Sequence, residues 1–153
     1  MKDHGVAPGW MRASCPSWGA GWIILAAVIL WRPAPSFADY KPELEGTYVA
    51  ILVSEAGNQG FGGMLGVAEV LRNRKWKLAG FCGLRRKGLH HFVSRQPRRV
   101  LRDARRAIEK ARHGSDTVMG ARHFENVKAF GKPRWARSMK QVAVVKDHIF
   151  FKD

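Results

Sequence analysis

Residues 48–74 read Tyr-Val-Ala-Ile-Leu-Val-Ser-Glu-Ala-Gly-Asn-Gln-Gly-Phe-Gly-Gly-Met-Leu-Gly-Val-Ala-Glu-Val-Leu-Arg-Asn-Arg. The apolar run ending at Ala56 predicts a first helix, Tyr48–Ala56, with Thr47 as its N-cap after Gly46. Its β-branched residues would also suit a strand. Gly57, Gly60, Gly62 and Gly63 fall within seven residues, a density that predicts a tight loop. A second helix is expected from Met64 to Arg74, with Met64, Val67, Ala68 and Leu71 on one face and Glu69 on the outer one. Glu55 therefore stands where a helix ends and a glycine-rich loop begins.

Outward from this stretch, residues 75–96 are basic and irregular and carry Phe81, Cys82 and Phe92. Pro97 opens the most periodic helix in the chain. Val100, Leu101, Ala104, Ala107, Ile108 and Ala111 form its apolar stripe, and Gly114 stops it. Its outer face carries Arg98, Arg99, Arg102, Arg105, Arg106, Lys110 and Arg112. The last forty residues predict a strand near Val118 to Phe124. A hairpin should follow, Val142–Val145 with Ile149–Phe151, turning at Lys146-Asp147-His148. With no internal repeat, the pattern is that of one mainly helical α+β domain.

The 153 residues carry 27 Lys and Arg against 12 Asp and Glu, a formal charge of +15. Such a balance favours an anionic partner: nucleic acid, an acidic membrane face or a carboxylate-rich polymer. The N-terminus bears on the choice. Residues 19–30 form a short uncharged apolar run after Lys2 and Arg12. Ser36-Phe37-Ala38 satisfies the small-x-small rule of signal peptidase. Residues 1–38 read as a signal peptide, or as an anchor if left uncut, with translation starting at Met1 or Met11. Removing them takes away Lys2, Arg12, Arg32 and Asp3, which leaves 24 basic and 11 acidic residues. Cys82 is then the only cysteine, so no intramolecular disulfide is expected in this exported domain. Export to the periplasm, envelope or exterior argues against the main rival reading, a basic nucleic-acid-binding module.

The block from Ser54 to Arg74 resembles the signature of the SleB-type cell wall hydrolases: a Glu-Ala pair, a short loop, a glycine, an Ala-Val-Ala-like helix and a closing Asn-Arg. Gly120-Ala-Arg-His-Phe-Glu-Asn126, Pro133-Arg-Trp-Ala136 and His148-Ile-Phe-Phe151 resemble later blocks of that family in the same order. Phe81-Cys82-Gly83 and His91-Phe92 fit its middle. The resemblance spans about residues 48–152. Two departures stand out. Gly66 occupies a position where the family more often has Ala or Val, and Lys146-Asp147 replace a Gly-Asn-like turn. The resemblance implies a lysozyme-like, lytic-transglycosylase-type fold. It also implies cleavage of the β-1,4 bond between N-acetylmuramic acid and N-acetylglucosamine in peptidoglycan glycan strands, with Glu55 as the catalytic glutamate.

The residues can be weighed against that chemistry. Cleaving a glycosidic bond needs a carboxylic acid still protonated near neutral pH. Glu55 follows an apolar run at the negative end of a helix, where desolvation and the helix dipole both disfavour the carboxylate. No second carboxylate is marked by spacing; Glu125 is a better candidate than Glu69. A lytic transglycosylase needs only one. Phe92, Phe124, Trp135 and Phe150 could stack on sugars or pack in the core, and Asn73 could orient Glu55 or cap the second helix. His123 and His148 are candidates for substrate contact. No His or Cys spacing matches a zinc signature, so neither metal nor cofactor is expected. The arginine face of residues 98–112 could hold anionic wall polymer, and a monomer is expected. A catalytically inactive wall-binding protein of the same fold is a further alternative. If the leader is cut after Ala38, N-terminal sequencing of the exported protein should begin at Asp39; an intact N-terminus on cytoplasmic protein would revive the nucleic-acid reading.

Overall fold

The computed structural model describes residues 39–153, so the expected leader lies outside the described residues. In chain order the elements are α1 (Glu45–Ala56), α2 (Gly60–Asn73), the short α3 (Leu89–Ser94), α4 (Arg98–Arg112), β1 (His123–Glu125), the four-residue α5 (Val127–Phe130), β2 (Lys140–Val145) and β3 (His148–Lys152). More than half of the described residues are helical, and the three strands form one antiparallel sheet in the order β1-β3-β2. The domain is mainly helical α+β.

α1 starts three residues earlier than the sequence suggested. Pro42 opens a single 3-10 turn over Pro42–Leu44, which runs straight into Glu45, so Thr47 lies inside the helix and caps nothing. Glu45 then sits in the first turn, where a carboxylate is favoured by the helix dipole. The helix-or-strand ambiguity of the Tyr48–Val53 run resolves to helix, with every one of those side chains buried. A helix apolar all round is one enclosed on all sides.

The glycine-rich stretch is not an open loop. Gly57–Gln59 form one 3-10 turn, and Gly60 through Gly63 are already helical. Gly60 has φ 67°, a left-handed conformation that reverses the chain between the two helices. Gly63 serves close approach, since a Cβ there would lie 2.5 Å from the Cβ of Gln59. Gly66 does the same for the sheet: its missing Cβ would lie 2.6 Å from Cζ of Phe150, which is wholly buried.

α2 has no outer face. Every residue from Gly63 to Leu71 is buried, between α1, α4 and the sheet. Glu69, expected in solvent, is fully enclosed. Its Oε2 accepts hydrogen bonds from Thr117 Oγ1 at 2.8 Å and from the Val118 N–H at 3.0 Å. Those bonds offset part of the cost of burying a carboxyl and pin the turn before β1 to the helix. Val118 is consequently fixed in that turn, and the expected strand begins only at His123. Arg72 fastens the same turn by donating to the Ser115 carbonyl at 2.5 Å and pairing with Asp116 at 3.5 Å.

α4 follows its pattern closely. Pro97 caps it, Ala104, Ala107, Ile108 and Ala111 are buried, and Gly114 ends it at φ 91°. The three alanines let its backbone approach α2. Arg98, Arg99, Arg102, Arg105 and Arg106 are exposed, whereas Arg112 turns inward and lies 4.1 Å from the centre of the Tyr40 ring. The expected hairpin forms with a tighter turn: Lys146, at φ 56°, and Asp147 alone make it, and His148, expected in the turn, pairs with Val145 as the first residue of β3. β1 adds to its far side, placing Phe124 opposite Phe150. Inserting a methyl into the Gly66–Phe150 contact should be felt. Gly66→Ala is expected to lower unfolding stability by about 1–3 kcal/mol in a urea titration, the usual cost of overpacking a filled core.

Candidate active site

The last turn of α1, the 80–83 segment and β1 with its following turn border a groove of about 1190 Å³. Glu55 stands in its wall together with Ser54, because α1 delivers its final turn to this edge of the core. Further lining comes from Phe124, Glu125 and His148, which β1 and β3 carry there through their pairing. The contact between Phe150 and Gly66 sets how close the sheet stands to the helices.

Glu55 Oε1 accepts a hydrogen bond from the Gly83 backbone N–H at 2.6 Å. Gly83 cannot be exchanged easily, since a Cβ there would fall 1.8 Å from Ser54 Oγ and 3.3 Å from Glu55 Oε1. Burial pushes the Glu55 pKa up, the Gly83 and Cys82 N–H groups pull it down, and the nearby Glu125 charge pushes it up further. The net direction is upward from 4.5. No arginine forms an ion pair with Glu55 among the described residues, although Arg74, Arg86 and Arg122 all line the groove. With Oε1 accepting from Gly83, the protonated form of this carboxyl carries its proton on Oε2, where it is available to donate.

Of the residues singled out from sequence, Phe92, His123, Phe124, Trp135 and His148 line the same groove as Glu55. Asn73 does not. Its Nδ2 donates to the Ala121 carbonyl at 2.9 Å and its Oδ1 accepts from Arg72, so it ties the end of α2 to the segment before β1. The Phe124 ring is committed to packing, 5.0 Å from His148 and 5.9 Å from Phe150. Phe92 has Arg86 stacked 3.7 Å from its ring centre. His123 pairs with Asp153 at 3.2 Å. His148 is buried, and burial lowers its pKa more than the Asp147 charge raises it, so the imidazole is neutral at neutral pH. Trp135, 40% exposed, rests edge-on against Phe151.

Gly83, Phe130 and Arg74 are groove residues to which the sequence assigned no role, as are Arg86 and Arg122. Gly83 was visible only as part of the Phe81-Cys82-Gly83 block, and its N–H could be assigned to Glu55 only once the fold brought them together. Phe130, 80% exposed at the end of α5, lies in a four-residue helix too short to show periodicity. Arg74 was read only as the close of the Asn-Arg pair. Among the described residues, no three His, Cys, Asp or Glu side chains gather as a metal site.

The raised pKa fixes a sign for stability. A carboxyl whose folded pKa exceeds its unfolded value favours the fold fully below the unfolded value, and that contribution is lost as pH rises through the folded one. Glu55→Gln should therefore raise the melting temperature at neutral pH and leave it nearly unchanged below pH 4.5. Carboxyl-carbon NMR should find Glu55 titrating above 4.5, and Glu125→Gln should move that titration downward. Comparison of the chain with protein-family models, with curated proteins and with solved structures returned no match.

Proposed function

We propose that the groove binds peptidoglycan glycan strands and cleaves the N-acetylmuramic acid β-1,4 N-acetylglucosamine bond, with Glu55 as the acid and base of a lytic transglycosylase of lysozyme-like fold. The observation that carries this reading is a carboxyl set in the groove wall, where burial shifts it toward its protonated form and a backbone donor orients it. The likeness of residues 48–152 to SleB-type hydrolases supports it, as do the exposed Phe130 and Trp135, whose rings suit sugar faces.

In this mechanism Glu55 Oε2 gives its proton to the glycosidic oxygen as the bond to C1 of the muramyl residue breaks. N-acetylglucosamine leaves as the free alcohol. The carboxylate formed then takes the proton of the muramyl C6 hydroxyl, whose oxygen closes on C1 as a 1,6-anhydro ring. Glu55 ends protonated, and no water is consumed. The Glu125 charge favours the protonated start of this cycle, because it raises the Glu55 pKa.

The closeness of Glu125 also supports a second reading, a two-carboxylate hydrolase in which Glu125 activates water or attacks C1. Substitution separates the two. Glu55→Gln keeps side-chain size and can still accept from Gly83. It should fold and bind glycan yet lose ~10²–10⁴-fold of the rate of dye release from labelled sacculi. Glu125→Gln should retain substantial activity in the single-glutamate mechanism, whereas equal loss in both variants would favour the hydrolase. Near-normal release by Glu55→Gln would remove Glu55 from the chemistry. A wild-type protein that binds sacculi without releasing anything would be a wall-binding protein.

A further inference from the structure

The groove carries more cation than its own acids can neutralise. Arg74, Arg86 and Arg122 line it against Glu55 and Glu125, and Glu55 is the group held toward its neutral form. Arg86 is occupied with the Phe92 ring. Arg122 has one carboxylate partner, Asp153 at 3.4 Å, which it shares with His123. Arg74 has no carboxylate partner among the described residues.

Arg74 is nevertheless held in place. One of its guanidinium nitrogens donates to the Ala79 carbonyl, and the group lies 4.9 Å from the centre of the Phe81 ring. Gly80, at φ 86°, leaves the space beside it open, since a Cβ there would stand 3.0 Å from the guanidinium. A guanidinium has five N–H donors, and only one is spent on the protein here. Burial depresses the Arg74 pKa, and the neighbouring Arg122 charge depresses it further. The Phe81 ring under Arg74 lies 6.1 Å from the ring of Phe124, two residues after Arg122, so both guanidiniums border the same stretch of groove wall, where an anion between them would offset their repulsion.

We propose that Arg74 and Arg122 form a carboxylate-binding subsite in the groove, which makes the protein select glycan strands carrying a carboxylate on alternate sugars over neutral strands of the same backbone. The proposal rests on the reading of the groove as a glycan site. A free muramyl carboxylate has the planar, two-oxygen shape that a guanidinium fork matches. Neutral N-acetylglucosamine polymers offer no such group. Arg74 is the fixed element, set by Phe81 and Ala79. Arg122 is the mobile one, which exchanges Asp153 for the ligand.

The test uses the full chain carrying Glu55→Gln, so that binding is read without turnover. Its probes are peptide-free peptidoglycan strands with free carboxylates, and the same strands after conversion of those carboxylates to methylamides. By calorimetry at low salt, the carboxylate strands should bind about tenfold tighter or more, the scale of one charge-assisted hydrogen bond. Adding Arg122→Gln should bring the two affinities together while leaving the amide strands unaffected. Arg74→Gln should do the same, and because Arg74 also holds the Ala79 carbonyl, the exposed Arg122 decides if that variant fails to fold. Equal binding of both strands, or a preference that survives Arg122→Gln, overturns the subsite while leaving glycan binding intact. If neither strand binds, the glycan reading fails and the subsite with it.

Discussion

Phe150 lies where a β-carbon on residue 66 would have to be, and this single clearance sets how near the sheet comes to α2. Phe150 is opposite Phe124 in β1 and two residues from His148, so the same contact carries β1 and the start of β3 toward the end of α1. Burial of a side chain of this size contributes about 1.5–3 kcal/mol, and Phe150 is wholly buried. α2 can accept such contacts on every side because glycines at 63 and 66 let Gln59 and Phe150 press against its backbone. The groove is the space left where the sheet, the 80–83 segment and the end of α1 meet without filling the centre.

Inside that space the electrostatics oppose stability. Glu55 is desolvated, sits near Glu125 and receives no compensating arginine, although three arginines border the groove. Only backbone N–H groups favour its charged form. A protein arranged for stability alone would pair that carboxyl with a neighbouring guanidinium. With no arginine paired to it, Glu55 stays shifted toward its protonated form, and Arg74 is left without a carboxylate partner among the described residues.

The sequence conveyed α4 best, because its apolar stripe has an unambiguous period, and conveyed α1 and most of α2 less firmly, since the Tyr48–Val53 run also suited a strand and the first turn of α2 read as loop. It conveyed Glu55 as well, through its place at the end of an apolar run and through the blocks around it. What it could not convey depends on contacts between distant segments. Glu69 looked like an outer-face residue because only the fold encloses α2 on every side. The glycines of 57–63 looked like a loop because composition does not distinguish glycine used for turning from glycine used for clearance. Asn73 and Gly83 exchanged importance for the same reason: their partners, the Ala121 carbonyl and the Glu55 carboxyl, lie 48 and 28 residues away. Gly66, a departure from the family pattern in sequence, becomes intelligible once Phe150 is seen against it.

The central claim is that one protonated glutamate in this groove cleaves a glycan strand by proton transfer alone. The mass of the fragments that the wild-type protein releases from purified peptidoglycan tests it most directly. The expected fragments end in 1,6-anhydromuramic acid and are lighter by one water than their hydrolytic counterparts. Fragments with reducing muramic acid ends would contradict the single-glutamate chemistry, and intact glycan strands after prolonged incubation would contradict glycan cleavage altogether.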